Sequence, residues 1–333
     1  MKSIFVLLSL CVFSMTQFAQ TASDYLEKAK AGDAEAQVAL GRCYDKGLGV
    51  SRDSNIAFQW YMKAAEQGNV RGQYNLGCCY ANGEGVSKDY ETSVYWFKKA
   101  AEQGLPIAQY SLGVCYYFGR GVSKDCSKAL EWYVKAAEQD LAEAQYELGM
   151  CFLYGRCVPQ DKSVAISWFR RSAALFYVKA QYNLGIFYSQ GVGVSKNDTI
   201  ALEWFRRAAD LGLAEAQYNM GIYYKKGYIV PQDYSIAFQW FEKAASQGHA
   251  DSQFALGLSY DMAIGVSCDY LKAIEWYKKA AEQDHSGAQL ALGLSYYSGE
   301  GVYKDMSLAK YWIMKAAKNG NKQAFLIAKK QGW

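Results

Sequence analysis

The stretch AQYELGMCFLYGRCVPQDKSVAISWFRRSAA, residues 144–174, holds two apolar patterns separated by a short turn-like run. In the first, Ala144, Leu148, Gly149 and Phe152 fall at the spacings of three and four that share one face of a helix. In the second, Ala165, Trp168, Phe169, Ser172 and Ala173 do the same. Small residues beside large aromatics let two helix backbones approach to about 8–10 Å while the rings fill the gaps. Neither helix can hide its apolar side alone.

The chain answers that need by repetition. Slid against itself, it comes into register at 36 residues, without an insertion, from Gly32 to Asn319. The eight repeats run 32–67, 68–103, 104–139, 140–175, 176–211, 212–247, 248–283 and 284–319. The sixth place is always glutamine, Gln37 to Gln289, and the tenth always glycine, Gly41 to Gly293. The thirteenth is aromatic, Tyr in seven repeats and Phe152 in the fourth; the twenty-ninth is always tryptophan, Trp60 to Trp312. A chain of this kind grows by stacking, so its 333 residues need not divide into separate globular cores.

Between the helices lie GEGVSKD, 83–89, and GRGVSKD, 119–125, whose glycines and lysine resemble a phosphate cradle. A phosphate loop follows a strand and opens a helix. This run instead recurs in all eight repeats, with lysine dispensable and valine always present, as in GRCVPQD at 155–161 and AIGVSCD at 263–269. It is a helix-to-helix turn, in which Gly83 takes a left-handed conformation and Asp89 caps the second helix.

Hydrophobic residues form 51% of the chain and charged residues 20%, the balance of an ordered protein. The opening MKSIFVLLSLCVFSMTQFAQTAS, with Lys2 and an apolar run from Ile4 to Phe13, predicts a secretory leader over 1–20. Its run is shorter than the roughly 20 residues a membrane-spanning helix needs, so no membrane anchor is expected in the mature chain. LSLC, ending at Cys11, is a poor lipidation box because Leu10 precedes the cysteine. Removing Lys2 with the leader leaves 35 basic against 32 acidic residues, both scattered through every segment. Nucleic acid, which selects a basic face or stripe, is discounted as a partner.

The recurrence of A-Q-x-x-L-G-x-x-Y, G-x-G-V-x-x-D and A-x-x-W-x-x-x-A-A resembles the Sel-1-like repeat, a longer relative of the tetratricopeptide repeat. The resemblance covers residues 32–319. It implies an all-α fold, an α/α right-handed superhelical solenoid of eight helix-turn-helix repeats, used as a scaffold for protein recognition and not as an enzyme, with no cofactor. The segment 21–31, with Tyr25 at an aromatic place of a second helix, reads as a half-repeat. Residues 320–333 read as a capping first helix, where Lys329 replaces the tenth-place glycine and makes the end polar.

Eight cysteines remain after the leader. Cys43, Cys79, Cys115 and Cys151 all take the twelfth place, about 10 Å apart if repeats stack at helix packing distances, too far for the 4.4–6.8 Å or so between bridged Cα atoms. Buried thiols are the simplest reading. The resemblance extends to the Helicobacter cysteine-rich proteins, whose bridges join the end of a second helix to the next first helix. The matching places here hold residues such as Ala65 and Gln73, so that pattern does not carry over. Local bridges Cys115–Cys126 and Cys151–Cys157 stay open.

Little else points to chemistry. His249 and His285, both at the second place, lack further ligands for a metal and read as exposed polar residues near a turn. Members of the cysteine-rich branch carry a β-lactamase label, but the one S-x-x-K, Ser307 to Lys310, has neither S-D-N nor K-T-G beside it. The basic thirty-second place, Lys63 to Lys315, is explained by the dipole at a helix C-terminus.

In tetratricopeptide-like arrays the first helices line a concave face. The places that align with it hold Tyr74, Tyr110, Tyr146, Tyr182 and Tyr218, and in repeats 3 and 4 also Val114, Tyr117, Phe118, Met150, Leu153 and Tyr154. Such Tyr- and Met-rich patches serve recognition. The seventh-place tyrosines equally fit packing between repeats with only the hydroxyl exposed. The expectation is an exported monomer, periplasmic or secreted, that binds a protein or peptide along this groove. The alternatives are a penicillin-recognising enzyme and a binder of cell-wall glycans or host glycoproteins.

Overall fold

The computed structural model describes residues 22–333; the leader expected over 1–20 lies outside the described residues. Eighteen helices and no strand occur among them. A helix over 22–30, α1, precedes eight helix pairs. The pairs run from α2 (Ala34–Lys46) and α3 (Ser54–Glu66) to α16 (Ser286–Ser298) and α17 (Met306–Lys318), followed by α18 (Lys322–Gln331). Two compact bodies result, α1–α9 within residues 22–175 and α10–α18 within 176–333. In each, successive helices pack on one another, as α4–α8 do in the first and α12–α16 in the second.

The core follows the repeat. It is a chain of small clusters, each built from a second helix and the first helix that follows, such as Val94, Phe97, Ala100 and Ala101 against Ala108, Leu112 and Cys115. The loop valines Val86, Val122 and Val158 seat against successive clusters, which explains their constancy.

Each recurring residue has a local task. The tenth-place glycine admits the ring at the thirtieth place: a Cβ on Gly113 would lie 2.7 Å from Tyr133, and one on Gly185 would lie 2.6 Å from Phe205. The turn glycine Gly83 is left-handed, with φ 79°, and Asp89 caps α5 (Tyr90–Glu102) by accepting from the amides of Glu91 and Thr92. The second loop glycine does what no phosphate cradle would. A Cβ at Gly85, Gly121 or Gly265 would collide with the carbonyl of Ser54, Tyr90 or Tyr234 in the preceding repeat, so the loop's backbone lies directly on its neighbour.

The sixth-place glutamine links repeats. Its Nε2 donates to the carbonyl of an alanine at the end of the preceding second helix, as Gln109 does to Ala101 at 3.2 Å and Gln253 to Ala245 at 3.3 Å. In six repeats its Oε1 accepts from the side chain that ends its own repeat, as from Gln103 to Gln73 at 2.7 Å and from Gln139 to Gln109 at 2.8 Å. A buried amide left unpaired would be costly, which accounts for glutamine recurring with its partner.

Two expectations need amendment. The thirty-second-place cations do lie in the last turn of their helices, but each also sits over the tryptophan of its own repeat, from Lys135 over Trp132 at 4.1 Å to Lys99 over Trp96 at 5.9 Å. The ring quadrupole therefore holds them as well as the helix dipole. The end of the chain is not uniformly polar either: α18 buries Ala324 and Ala328 but leaves Phe325 and Leu326 exposed beside Lys329.

Candidate binding face and its relatives

The seventh-place tyrosines are largely committed to packing. Tyr74 lies 5.7 Å from Phe97, Tyr110 5.8 Å from Tyr133 and Tyr146 5.4 Å from Phe169, each on the aromatic of its own repeat's second helix. In the second body Tyr182 meets Phe205 and Tyr218 meets Phe241 in the same way. Burial raises the pKa of Tyr74, Tyr182 and Tyr218, as expected of half-buried phenols. Of the other residues picked from sequence, Leu153 is buried at 8% exposure and presents nothing to a partner.

Phe118 and Tyr154 behave differently. Both are 57% exposed, one repeat apart, at the ends of α6 (Pro106–Phe118) and α8 (Ala142–Tyr154). Between these helices opens a cleft of about 130 Å³, walled by Tyr110, Val114, Tyr117, Phe118, Glu147, Met150 and Arg156, with Tyr133 and Cys151 at its base. Tyr117 and Phe118 stand edge to face, their centroids 4.9 Å apart. The structure thus gathers Tyr110, Val114, Tyr117, Phe118 and Met150 around one opening. A second cleft of about 270 Å³, with Arg42, Arg71 and Tyr74 in its wall, lies on the first helices of repeats 1–3.

Basic side chains flank the first cleft. Arg120 lies over the Phe118 ring at 4.9 Å, Arg156 over Tyr154 at 4.8 Å and Lys124 over Tyr117 at 5.8 Å. Sequence reasoning passed over these cations because it weighed the loop arginines only as members of a turn. The signal was present in FGRG and YGRC, where an aromatic and an arginine bracket the turn glycine.

The cysteines bring a correction. Neither Cys115–Cys126 nor Cys151–Cys157 forms; Cys126 pairs with Cys157, with Cα atoms 5.2 Å apart. Cys157 stands at the loop place where Gly85 and Gly121 approach the preceding repeat, and Cys126 opens the helix that the loop would touch. The bridge replaces a close glycine contact by a covalent one, joining repeats 3 and 4. The twelfth-place thiols are buried and free, and burial pushes Cys115 and Cys151 up to about 11.

The histidines are structural caps and not exposed polar residues. Nδ1 of His285 accepts from the amide of Ala288 at 3.0 Å, and His249 does the same for Ser252 at 3.3 Å. The His285 ring lies against Phe254 and the His249 ring against Tyr218, tilted, with centroids 4.6 and 5.0 Å apart. Among the described residues no cluster of three or more metal-ligating side chains occurs, and no helix is long and apolar enough to cross a membrane. Another concavity, of about 1180 Å³, lies between α17 and α18 and is lined by Ser307, Lys310, Tyr311, Met314, Phe325 and Trp333, among others.

The chain matches the Sel1 repeat eight times, over 34–69, 70–105, 106–141, 142–175, 178–213, 214–249, 250–285 and 286–321, a register set two residues later than the one used above. Among solved structures it is similar to c5321, described as a protective antigen of uropathogenic Escherichia coli displaying an SLR fold. That likeness has 38% identity and a TM-score of 0.79, and covers 91% of this chain but 65% of that one. This chain therefore spans about two thirds of that relative's length. A Sel1 repeat protein from Oxalobacter formigenes is 34% identical with a TM-score of 0.66, covering 93% of this chain and 89% of that one. No curated protein matches. With eight repeats of one pattern, the loops and helix pairs that pattern requires and solved relatives of the same build, the chain belongs to the Sel1 repeat family.

Proposed function

We propose that the chain is an exported, monomeric scaffold that binds a protein or peptide along the first-helix face of repeats 3 and 4, without catalysis. The observation that carries this reading is the pair Phe118 and Tyr154, each 57% exposed beside an open cleft while the seventh-place tyrosines around them are spent on packing. Large aromatic rings left in water on a rigid helical face contribute little to folding, and such rings are enriched at the centres of interfaces. The Sel1 repeat is a recognition scaffold, which supports a protein partner. The likeness to a protective antigen supports export, because an antigen that protects has to be reachable from outside the cell.

The test is a photo-crosslinking residue at Tyr154, with Glu131 on α7 (Cys126–Glu138) as the control, in the native host. Adducts at Tyr154 and none at Glu131 are expected. Equal labelling at both positions, or none at Tyr154, would reject the face.

A further inference from the structure

We infer that the partner of this face is an acidic peptide segment bound as a polyproline II chain, with two carboxylates three residues apart and an apolar side chain between them. The inference rests on the reading of repeats 3 and 4 as a binding face given above.

Its basis is a coincidence of two places in the repeat. An aromatic at the fifteenth place with an arginine at the seventeenth occurs in repeats 3 and 4, as Phe118 with Arg120 and Tyr154 with Arg156. The other repeats hold pairs such as Asn82 with Glu84 and Ser298 with Glu300. In both cases the guanidinium lies on its ring, at 4.9 and 4.8 Å. Neither guanidinium has an ion pair or hydrogen bond within the described residues, although carboxylates are common along the chain. A guanidinium laid on a ring is held in one plane, and its edge keeps N–H donors free in the fork that matches a carboxylate.

Geometry sets the spacing. Adjacent repeats stand about 10 Å apart at helix packing distances, and a polyproline II chain advances about 3.1 Å per residue with three residues per turn, so carboxylates at i and i+3 share one side and reach both arginines. Arg156 and the Phe118 ring under Arg120 both line the cleft of about 130 Å³, roughly the volume share of four waters, which suits one aliphatic side chain against Val114, Tyr117 and Met150. Lys124 over Tyr117 adds a third cation. Glu147, the carboxylate in the wall, has an interaction of its own, and its charge acts on the buried Tyr133 hydroxyl.

The experiment selects random ten-residue peptides by phage display against the full chain, then measures the enriched peptides on the wild type, R120Q/R156Q and Y117S/M150S. Arg120 and Arg156 are exposed, whereas Tyr117 and Met150 are partly buried and Tyr117 also packs against a core cluster, so circular dichroism with a thermal melt checks that each variant is folded. Expected are peptides carrying Asp or Glu at i and i+3 with Leu, Ile, Val or Met between. Their affinity should fall about tenfold or more in R120Q/R156Q and weaken as salt rises from about 0.05 to 0.5 M. Peptides that need Tyr117 and Met150 but are neither acidic nor sensitive to R120Q/R156Q would overturn the acidic partner and leave the face. Selected peptides insensitive to both variants would overturn both. Binding of anionic lipid vesicles that is lost in R120Q/R156Q, without acidic peptides emerging, would assign the arginines to a membrane surface instead.

Discussion

In six repeats the Oε1 of the sixth-place glutamine accepts from an amide thirty residues on, at 2.7–3.0 Å, and in repeat 4 that later place holds Leu175, leaving the fully buried Oε1 of Gln145 without a partner. Leu175→Gln should supply it. An orphaned buried acceptor costs about 1–3 kcal/mol, and fixing a glutamine side chain returns up to about 1.5–2 kcal/mol of that in lost rotamer freedom. Leu175 is 41% exposed, so its loss removes little packing. The net expectation is a stabilisation of about 0.5–1 kcal/mol, equivalent to a melting shift of roughly 1–4 °C. The mirror change, Gln139→Leu, creates the same orphan at Gln109 and should destabilise by about 1–2 kcal/mol. Urea unfolding followed by tryptophan fluorescence, with thermal melts alongside, measures both. A loss in Gln139→Leu with no gain, or a loss, in Leu175→Gln would refute the idea that the glutamine pair is what satisfies this buried atom.

Gly185→Ala should destabilise by about 1 kcal/mol, because overpacking against Phe205, 2.6 Å from the new Cβ, outweighs the roughly 0.5–1 kcal/mol that alanine gains in a helix; adding Phe205→Leu should recover part of the loss in the same unfolding assay. Non-reducing peptide mapping should recover Cys126 linked to Cys157, while Cys115 and Cys151, held near pKa 11 by burial, should resist alkylation at neutral pH until denaturant is added. The caps Asp89, Asp125 and Asp269 have pKa values lowered chiefly by hydrogen bonds at their helix N-termini. Their stabilisation is present above the unfolded carboxylate pKa, about 3.9, and is lost as pH falls through the lower folded values, so an acid titration of Asp89→Asn should show a shallower decline than the wild type.

The resemblances between repeats were legible because each recurring residue answers a local demand. The left-handed turn at Gly83, the cap at Asp89 and the helical spacing from Ala144 to Phe152 depend on neighbours a few residues away. So does the decision against a phosphate loop, although its physical reason, the backbone of the preceding repeat lying against Gly85, needed the fold. The candidate face was partly legible. Phe118 and Tyr154 stood out because they depart from the repeat, whereas Tyr74 and Tyr110 belong to it, and periodicity alone could not say which side of a half-buried ring faces water.

By itself the sequence determined the helix pair, its length of 36 residues, its eightfold recurrence and the chemistry of its turns, since these follow from periodicity and backbone preference within one repeat. Only the tertiary structure decided what meets what across thirty or more residues, Cys126 with Cys157 and Gln139 with Gln109, and how nearer side chains turn: each basic side chain onto its tryptophan face, and Leu153 inward beside an exposed Tyr154. The physical reason is that stacking brings equivalent places of neighbouring repeats into register. Partners are then chosen by small rotations of one helix on the next, and a linear pattern holds no record of those rotations.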